Sequence, residues 1–266
     1  MHKIALFGVA AAAVLAATPT FAADLRPAAV PMYKAPPVVV PPASWTGFYI
    51  GGDIGGSWSH SSGSWTGLPS AAAFGVNPTS GNLDGSGFLG GAHVGYDYQF
   101  APAWVFGVEG DWTWTHDRGS NSQAWTVFGT AVPVGGGAAT TMNSTLDWLA
   151  SFRGRVGYLI TPNVLAYGTG GVAWGDIHYS GTASAPGTGY LASTSFSNTS
   201  DGFVVGGGLE WAMTHNWSLR AEYLFYRLGN GASAIVTPAA FPAFPSSFSW
   251  SRMDVDVGRV GLSYKF

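Results

Sequence analysis

The strongest constraint on this chain is that large apolar side chains recur at every second position, segment after segment, with few charges between them. In 217–226, for example, Trp217 and Leu219 alternate with Ser218 and Arg220. Successive side chains of a β-strand point to opposite faces, so a period of two predicts strands with one apolar face. Eight segments follow this pattern: 48–58, 88–100, 104–115, 146–159, 164–179, 202–212, 217–226 and 259–266.

At two places the alternation does not show which face of the strand a residue occupies. In 164–179 the glycines make it ambiguous which residues share a face. Asp254 and Asp256 are out of phase with the apolar row of the last segment, which indicates either a bulge or an exposed upper rim.

The connections between the eight segments alternate in length. Tight turns lie at 101–103, 161–163 and 214–216, whereas long segments rich in Gly, Ser, Ala and Asn lie at about 59–86, 117–144, 181–200 and 231–249. This order predicts an up-and-down meander with all long loops at one end. A meander has two unpaired edge strands, and closing it into a barrel removes both.

Composition decides which face of the barrel is outside. Only 9% of residues are charged, against roughly 25% in average soluble proteins, so the polar rows are too weakly charged for a solvated surface. Their Gly, Ser and Thr residues suit the narrow interior of an eight-stranded barrel. The apolar rows carry Trp, Tyr and Phe near strand ends, where membrane barrels have aromatic girdles.

We therefore predict an all-β fold over residues 44–266, an eight-stranded antiparallel up-and-down transmembrane β-barrel. Beyond the first 22 residues no apolar run reaches about 18 residues, which excludes membrane-spanning helices. The competing fold is a soluble lipocalin-like carrier with an apolar interior.

The first 43 residues predict export and a tether. A short basic start, an apolar run over 4–17 and small residues at Thr20 and Ala22 are typical of a signal peptide over 1–22, cleaved after Ala22. Residues 23–43 include six prolines and predict an extended periplasmic spacer. The spacer is either a disordered tether or a binding segment for an envelope partner.

The two ends of the predicted barrel carry a family resemblance. The final octapeptide, with Arg259, Gly261, Tyr264 and Phe266 at its defining positions, looks like the C-terminal assembly signal of outer-membrane barrels. The segment 45–52, Trp-Thr-Gly-Phe-Tyr-Ile-Gly-Gly, resembles the first strand of the OmpA-like small outer-membrane β-barrel family. Within that family the chain is most similar to the porin-like surface-immunogen branch of Gram-negative bacteria.

The resemblance implies a location and a set of partners. It places the barrel in the bacterial outer membrane, with both termini in the periplasm and the long loops outside. Outer-membrane lipids, lipopolysaccharide, the barrel-assembly machinery and periplasmic chaperones are the partners it implies. The longer OmpA plan includes a peptidoglycan-binding domain, and none is expected here because nothing follows Phe266.

If the polar rows face inward, the lumen holds a network of charges. Because buried charges are costly unless paired, we expect arginines and carboxylates to pair across it, with His93 as a switchable member. Seven acids against four arginines leave an excess of negative charge, so either water reaches part of the lumen or some carboxylates are protonated. The predicted members are Asp53, Asp97, Glu109, Asp111, Asp147, Arg153, Arg155, Glu210, Arg220, Glu222 and Arg259.

Three functions are compatible with such a barrel. We favour a structural envelope protein that is not an enzyme, with a plugged lumen and exposed loops. The second is a narrow, weakly cation-preferring channel for ions or small solutes, gated by the charged network. The third is a lipid A-modifying enzyme that uses polar residues near the outer rim: His60, His116, Asp117, Asp176 and His178.

Cofactors and nucleic acid have no support in the sequence. The chain has 0 cysteines, and its histidines lack metal-ligand spacing, so we expect neither a metal site nor a cofactor. A net charge of −3 provides no basic surface for nucleic acid.

The C-terminal motif generates the first prediction. Replacing Phe266 by Asp should impair assembly, because the terminal aromatic residue would be read by the assembly machinery. The measurement is the amount of barrel recovered in the outer-membrane fraction, compared with the unaltered chain. An unchanged yield would count against the motif's role.

Overall fold

The computed structural model describes residues 44–67, 79–124, 126–127, 130–131 and 137–266. The predicted signal peptide over 1–22, its cleavage after Ala22 and the predicted spacer over 23–43 lie outside the described residues. No helix in the described part of the chain is long and apolar enough to cross a membrane.

The described residues are mainly strands, which we number in chain order. The eight long ones are β1 (Gly47–His60), β4 (Gly85–Ala101), β5 (Trp104–Ala124), β8 (Ala139–Thr161), β9 (Val164–Ala185), β10 (Tyr190–Ala212), β11 (Trp217–Leu228) and β14 (Met253–Lys265). The short ones are β2 (Ser62–Gly67), β3 (Thr79–Asn82), β6 (Thr126–Val127), β7 (Thr130–Ala131), β12 (Ala232–Val236) and β13 (Ser246–Trp250). A single 3₁₀ turn over Pro186–Thr188 joins β9 to β10.

The eight long strands form a closed antiparallel barrel. They pair in chain order from β1 to β14, and β14 pairs back onto β1, in a register that runs from Tyr49 opposite Lys265 to His60 opposite Asp254. Every barrel strand therefore has two partners, and the prediction of an eight-stranded up-and-down antiparallel barrel is confirmed. The termini of the barrel and its tight turns share one end, the turn end; the opposite end is the extension end.

The strands continue much further than the sequence predicted. The segments 117–144 and 181–200, expected to be loops, are largely strand, because β5 continues to Ala124 and β10 already begins at Tyr190. Ser, Thr and Gly dominate these stretches, yet they keep the alternation, and β-branched Thr suits a pleated strand. The expectation of four long irregular loops is therefore wrong in this part of the chain.

A second, smaller sheet lies at the extension end. Its order is β12-β13-β2-β3, so the segments expected as loops at 59–86 and 231–249 also contain paired strands. Gln123 of β5 connects this sheet to the barrel by donating from Nε2 to the Ser80 carbonyl at 2.6 Å. We call this sheet, together with the parts of the barrel strands beyond the apolar outer surface, the outer extension.

The outward surface near the turn end is apolar. Phe88 is 91% exposed and Ile54 is 74% exposed. Exposing such apolar side chains to water costs free energy, and contact with lipid removes this cost. Aromatic side chains border this belt at both ends. Trp104 packs against Tyr158 near the turn end, and Trp112 stacks on Trp148 near the extension end.

Beyond the aromatic border near the extension end, the outward-facing residues become polar. In β14 the outward positions change from Leu262 and Val260 to Asp256 and Asp254, with the alternation of buried residues uninterrupted. These two aspartates therefore belong to an exposed rim and not to a bulge. The outer rim consists of His60, Arg118, Asp147, Asp176, Asp201, Arg227, Asp254 and Asp256.

At the same level of the barrel, the inward-facing side chains change from charged to apolar. In β11 the inward row includes Arg220 and Glu222 toward the turn end and Leu224 and Leu228, both fully buried, toward the extension end. The inward residues of the outer extension form one apolar core with Trp65, Phe248 and Trp250 of the small sheet. Burial in this core raises the pKa of Tyr179 to about 12, so its phenol stays neutral.

The ambiguity predicted for 164–179 has a simple resolution. In β9 the buried residues alternate from Leu165 and Tyr167 to Ile177 and Tyr179, so the odd-numbered positions face inward throughout.

The apolar core generates a prediction for Phe248. This side chain is fully buried, stacks on Trp250 and lies so close to Gly181 that a Cβ there would approach it to 2.6 Å. Phe248→Ala should destabilise the outer extension by about 3–5 kcal/mol. The measurement is its rate of cleavage by an added protease.

The matched control is Ile235→Ala, since Ile235 lies in the same sheet but is 69% exposed. Heat-modifiable gel migration should show that both variants keep the barrel. Equal cleavage rates in the two variants would contradict the assigned core.

Candidate functional site

The interior near the turn end is an ion-pair network built on four buried arginines. At its centre, Arg153 donates to Glu222 at 3.0 Å and to Glu109, and its Nε lies 3.4 Å from Asp111. Arg153 projects from β8, while its partners come from β11 and β5. One guanidinium therefore connects distant parts of the barrel wall.

Two further arginines extend this centre. Arg220 donates to both carboxylate oxygens of Asp53, at 3.0 and 3.2 Å, and also to Glu109. Arg259 donates to Glu222 at 2.7 Å and to Asp111 at 3.0 Å. Each carboxylate of the centre thus faces more than one guanidinium, which is the arrangement that buried charges require.

The fourth arginine lies nearer the turn end. Arg155 donates to Glu210 at 2.6 Å, and its Nε lies 3.5 Å from Asp97. The Arg155 guanidinium also stacks over the Tyr167 ring, at 4.3 Å from the ring centroid. Asp97 is the most loosely held carboxylate of the network, since its Oδ1 accepts no hydrogen bond.

Space for these contacts depends on glycine. A Cβ at Gly261 would lie 2.2 Å from the Asp53 carboxylate and 3.0 Å from Arg220 Nε. Gly261 therefore makes room for the ion pair between those two residues, a role independent of any assembly signal.

Asp147 does not belong to the network. The pairing of β8 with β9 shifts between Leu146 and Trp148, so Asp147 is an extra, bulged residue and points outward. Leu146 and Leu149 both face inward as a result. The structure brings together the other ten predicted members and places Asp147 on the outer rim.

Neutral donors compensate the remaining excess of carboxylates over arginines. Tyr49 donates its hydroxyl to Glu109 at 2.8 Å, Tyr167 donates to Glu222 at 3.2 Å, and Ser218 donates to Glu210 at 2.7 Å. The sequence prediction invoked only water or protonation for this purpose. Because a hydroxyl in a strand gives no sign of its partner, alternation could not identify these donors.

His93 links two groups of the network. Its Nδ1 lies 2.7 Å from Asp53 and its Nε2 lies 2.8 Å from the Ser263 hydroxyl, and all three side chains are buried. A neutral ring can donate to Asp53 and accept from Ser263. The connectivity resembles a Ser-His-Asp triad, but burial leaves no room for a substrate at Ser263.

The turn end of the lumen is covered by Trp45. Its indole donates to the Pro162 carbonyl at 3.1 Å, its backbone N–H donates to Gln99, and its ring packs with Val105 and Leu165. The cavity beside it has a volume of about 20 Å³, room for about one water molecule. Side chains thus fill the lumen at the turn end, and the apolar core fills it at the extension end.

The predicted assembly residues occupy both faces of β14. Arg259 and Gly261 face the lumen, whereas Tyr264 is on the outward face and packs edge-on against Trp217 and Phe266. Phe266 is 77% exposed at the turn end.

The residues considered for catalysis at the rim do not converge. Asp117 faces inward and accepts hydrogen bonds from Ser57 and Ser59. His60 pairs with Asp84 at 3.1 Å, whereas His178 lies between the hydroxyls of Ser195 and Ser197. Among the described residues, no group of His, Asp and Glu has the geometry of a metal site.

A closed eight-stranded barrel with an apolar aromatic-bordered belt and a charged lumen defines a transmembrane β-barrel of the outer-membrane class. Residues 7–266 match the outer membrane protein beta-barrel domain family. The chain belongs to this family, as its resemblance predicted, and it is an outer-membrane protein of the Gram-negative envelope.

The chain is also similar to individual curated proteins and to a solved structure. The chain is 32% identical to the 31 kDa outer-membrane immunogenic protein of Brucella melitensis biotype 1, over 97% of this chain and 98% of that protein. It is 30% identical to the 22 kDa outer membrane protein of Rhizobium leguminosarum bv. viciae, over 70% and 66% of the two chains. Among solved structures, the outer membrane protein OprG from Pseudomonas aeruginosa matches with a TM-score of 0.46 and 16% identity, covering 83% of this chain and 96% of that one.

The network generates a prediction for Arg153. Arg153→Ala removes one of the guanidinium groups that Glu109, Glu222 and Asp111 share, and breaking a buried ion pair costs about 3–5 kcal/mol. The variant should unfold at lower urea concentration in detergent, followed by the loss of heat-modifiable gel migration.

The control is Arg227→Ala. Arg227 forms a hydrogen-bonded pair with Asp254 on the exposed rim, where water screens the charges. Its urea midpoint should stay close to that of the unaltered chain. An equal loss of stability in both variants would show that the buried ion pairs contribute no more to stability than the exposed pair.

Proposed function

We propose that this protein is a structural, non-enzymatic barrel of the outer membrane, with a plugged lumen and a rigid outer extension exposed outside the cell. The observation that carries the proposal is the filled interior. Arg153 and Arg220 are fully buried among carboxylates, and Trp45 covers the turn end. A solute path would need several buried ion pairs to separate together, which is costly in a low-dielectric interior.

The partners in this proposal are those of an abundant envelope protein. Outer-leaflet lipids and lipopolysaccharide contact the belt and the rim, and the assembly machinery and periplasmic chaperones handle the unfolded chain. In support, the next outward position after Trp58 in β1 is His60, and the next after Trp174 in β9 is Asp176. Such a change from tryptophan to charged or polar residues is typical of the level where lipid headgroups replace acyl chains. The tight turns then lie in the periplasm and the outer extension outside.

Planar-bilayer recording tests the closed lumen. Purified full-length protein, with folding shown by heat-modifiable migration, should give no discrete conductance. The same recording is made with Arg153→Ala and Arg155→Ala, and with Arg227→Ala as the exposed control.

Discrete channels in the unaltered protein would overturn the plugged lumen. If their conductance changed in both lumen variants but not in the Arg227 control, the gated-channel function would replace our proposal. The non-enzymatic part has its own test: overexpression should leave the mass spectrum of lipid A unchanged, and a modified species would contradict it.

A further inference from the structure

A polar cleft lies on the outward surface of the outer extension, across β5, β8 and β9. Its volume is about 480 Å³, and its lining side chains are Arg118, Ser120, Asn143, Thr145, Asp147, His178 and Ser180, together with the Gly119 backbone. The register places Arg118, Thr145 and His178 side by side on adjacent strands. The row above them consists of Ser120, Asn143 and Ser180.

The floor of the cleft is shaped by a bulge. The pairing of β5 with β8 jumps from Trp114 opposite Trp148 to Asp117 opposite Leu146. This irregularity points Asp147 outward into the cleft. Bulges frequently redirect a side chain next to a functional site.

Arg118 is the distinctive group of the cleft. Its side chain is exposed, and among the described residues it has no hydrogen-bond or ion-pair partner, although Asp147 lines the same cleft. The neighbouring polar groups are already ordered, since His178 is held by Ser195 and Ser197 and Asn143 donates to Ser180 at 3.2 Å. An arginine without a partner beside fixed hydroxyls and amides suits an anionic, hydroxyl-rich ligand.

The surface directly below the cleft is apolar and aromatic. Trp148 follows Asp147 in the chain and stacks on Trp112 with ring centroids 4.4 Å apart. Trp114, in the same girdle, is 60% exposed. Any ligand in the cleft therefore lies at the boundary where the lipid headgroups begin.

We propose that this cleft binds the phosphorylated sugar headgroup of an outer-leaflet glycolipid. Arg118 binds the phosphate, Asn143, Thr145 and Asp147 bind sugar hydroxyls, and the acyl chains lie along the tryptophans below. The inference rests on the proposed placement of this surface in the outer leaflet, and it adds a defined lipid site to it.

The experiment measures binding of diphosphoryl lipid A to full-length protein that has been purified and delipidated in detergent. Native mass spectrometry counts the bound lipid at increasing lipid concentration. Arg118→Ala should weaken binding about tenfold, since it removes a charge-assisted contact. Asn143→Ala should weaken lipid A binding as well, without affecting phosphatidylglycerol.

The matched control is Arg252→Ala, since Arg252 is also exposed and has no ion pair among the described residues. It should bind lipid A like the unaltered chain, and heat-modifiable migration confirms that each variant is folded. Equal effects of the Arg118 and Arg252 changes would overturn the site.

Two competitors test the class of ligand. Phosphatidylglycerol carries the charge without the sugar, and glucose 1-phosphate carries the sugar phosphate without acyl chains. Displacement of lipid A by either one at comparable concentration would overturn recognition of a glycolipid. A silent bilayer with no lipid A binding would contradict this site alone, whereas conductance with intact lipid A binding would contradict the plugged lumen alone.

Discussion

A β-sheet in hydrocarbon cannot leave a backbone hydrogen-bonding group unpaired, and the other features of this protein follow from that requirement. The pairing of β1 with β14 completes the ladder and leaves the barrel without an edge. Eight strands close at a diameter that side chains alone can fill. Closure therefore creates a narrow interior as well as a lipid-facing exterior. Side chains must fill this interior, and its polar groups need partners.

The interior is satisfied in two different ways along the barrel axis. Near the turn end, Arg153, Arg220 and Arg259 share carboxylates, and hydroxyls such as that of Tyr49 donate further hydrogen bonds. A buried network of this kind is weak evidence for net stability, but it penalises any register that separates its members. Near the extension end, Leu224 and Val204 pack as they would in a water-soluble barrel. The protein thus combines a membrane barrel and a soluble-type barrel on the same strands.

The sequence was sufficient for the barrel and most of its lumen because both depend on alternation within the membrane. The apolar positions such as Phe48 and Ile50 identified β1, and Asp53 followed on the opposite face. The alternation assigned Asp147 to the wrong face of its strand. One inserted residue in β8 turned Asp147 outward, and a single sequence does not mark such a bulge.

The outer extension was missed for a different reason. Its strands keep a period of two, but their outward rows are polar. Small polar residues such as Thr140 and Ser144 also occupy inward positions, so these stretches resemble loops in the sequence. The phase of Asp254 and Asp256 against Val260 was the visible sign of the polar outward rows. Pairing between strands distant in sequence, which carries the outer extension, leaves no local trace.

The polar outward surface of the outer extension has a consequence for how the chain reaches its final position. In the proposed orientation the strands arrive from the periplasmic side, so the outward charges of the extension first cross the hydrocarbon layer; Arg118, Asp176 and Arg227 are among them. Each basic side chain exposed to the bilayer midplane costs about 2–4 kcal/mol, and acidic ones somewhat less. Strand-by-strand passage through bare lipid would therefore accumulate a large barrier. In the proposed orientation, a route that shields these side chains from the acyl chains would lower that barrier.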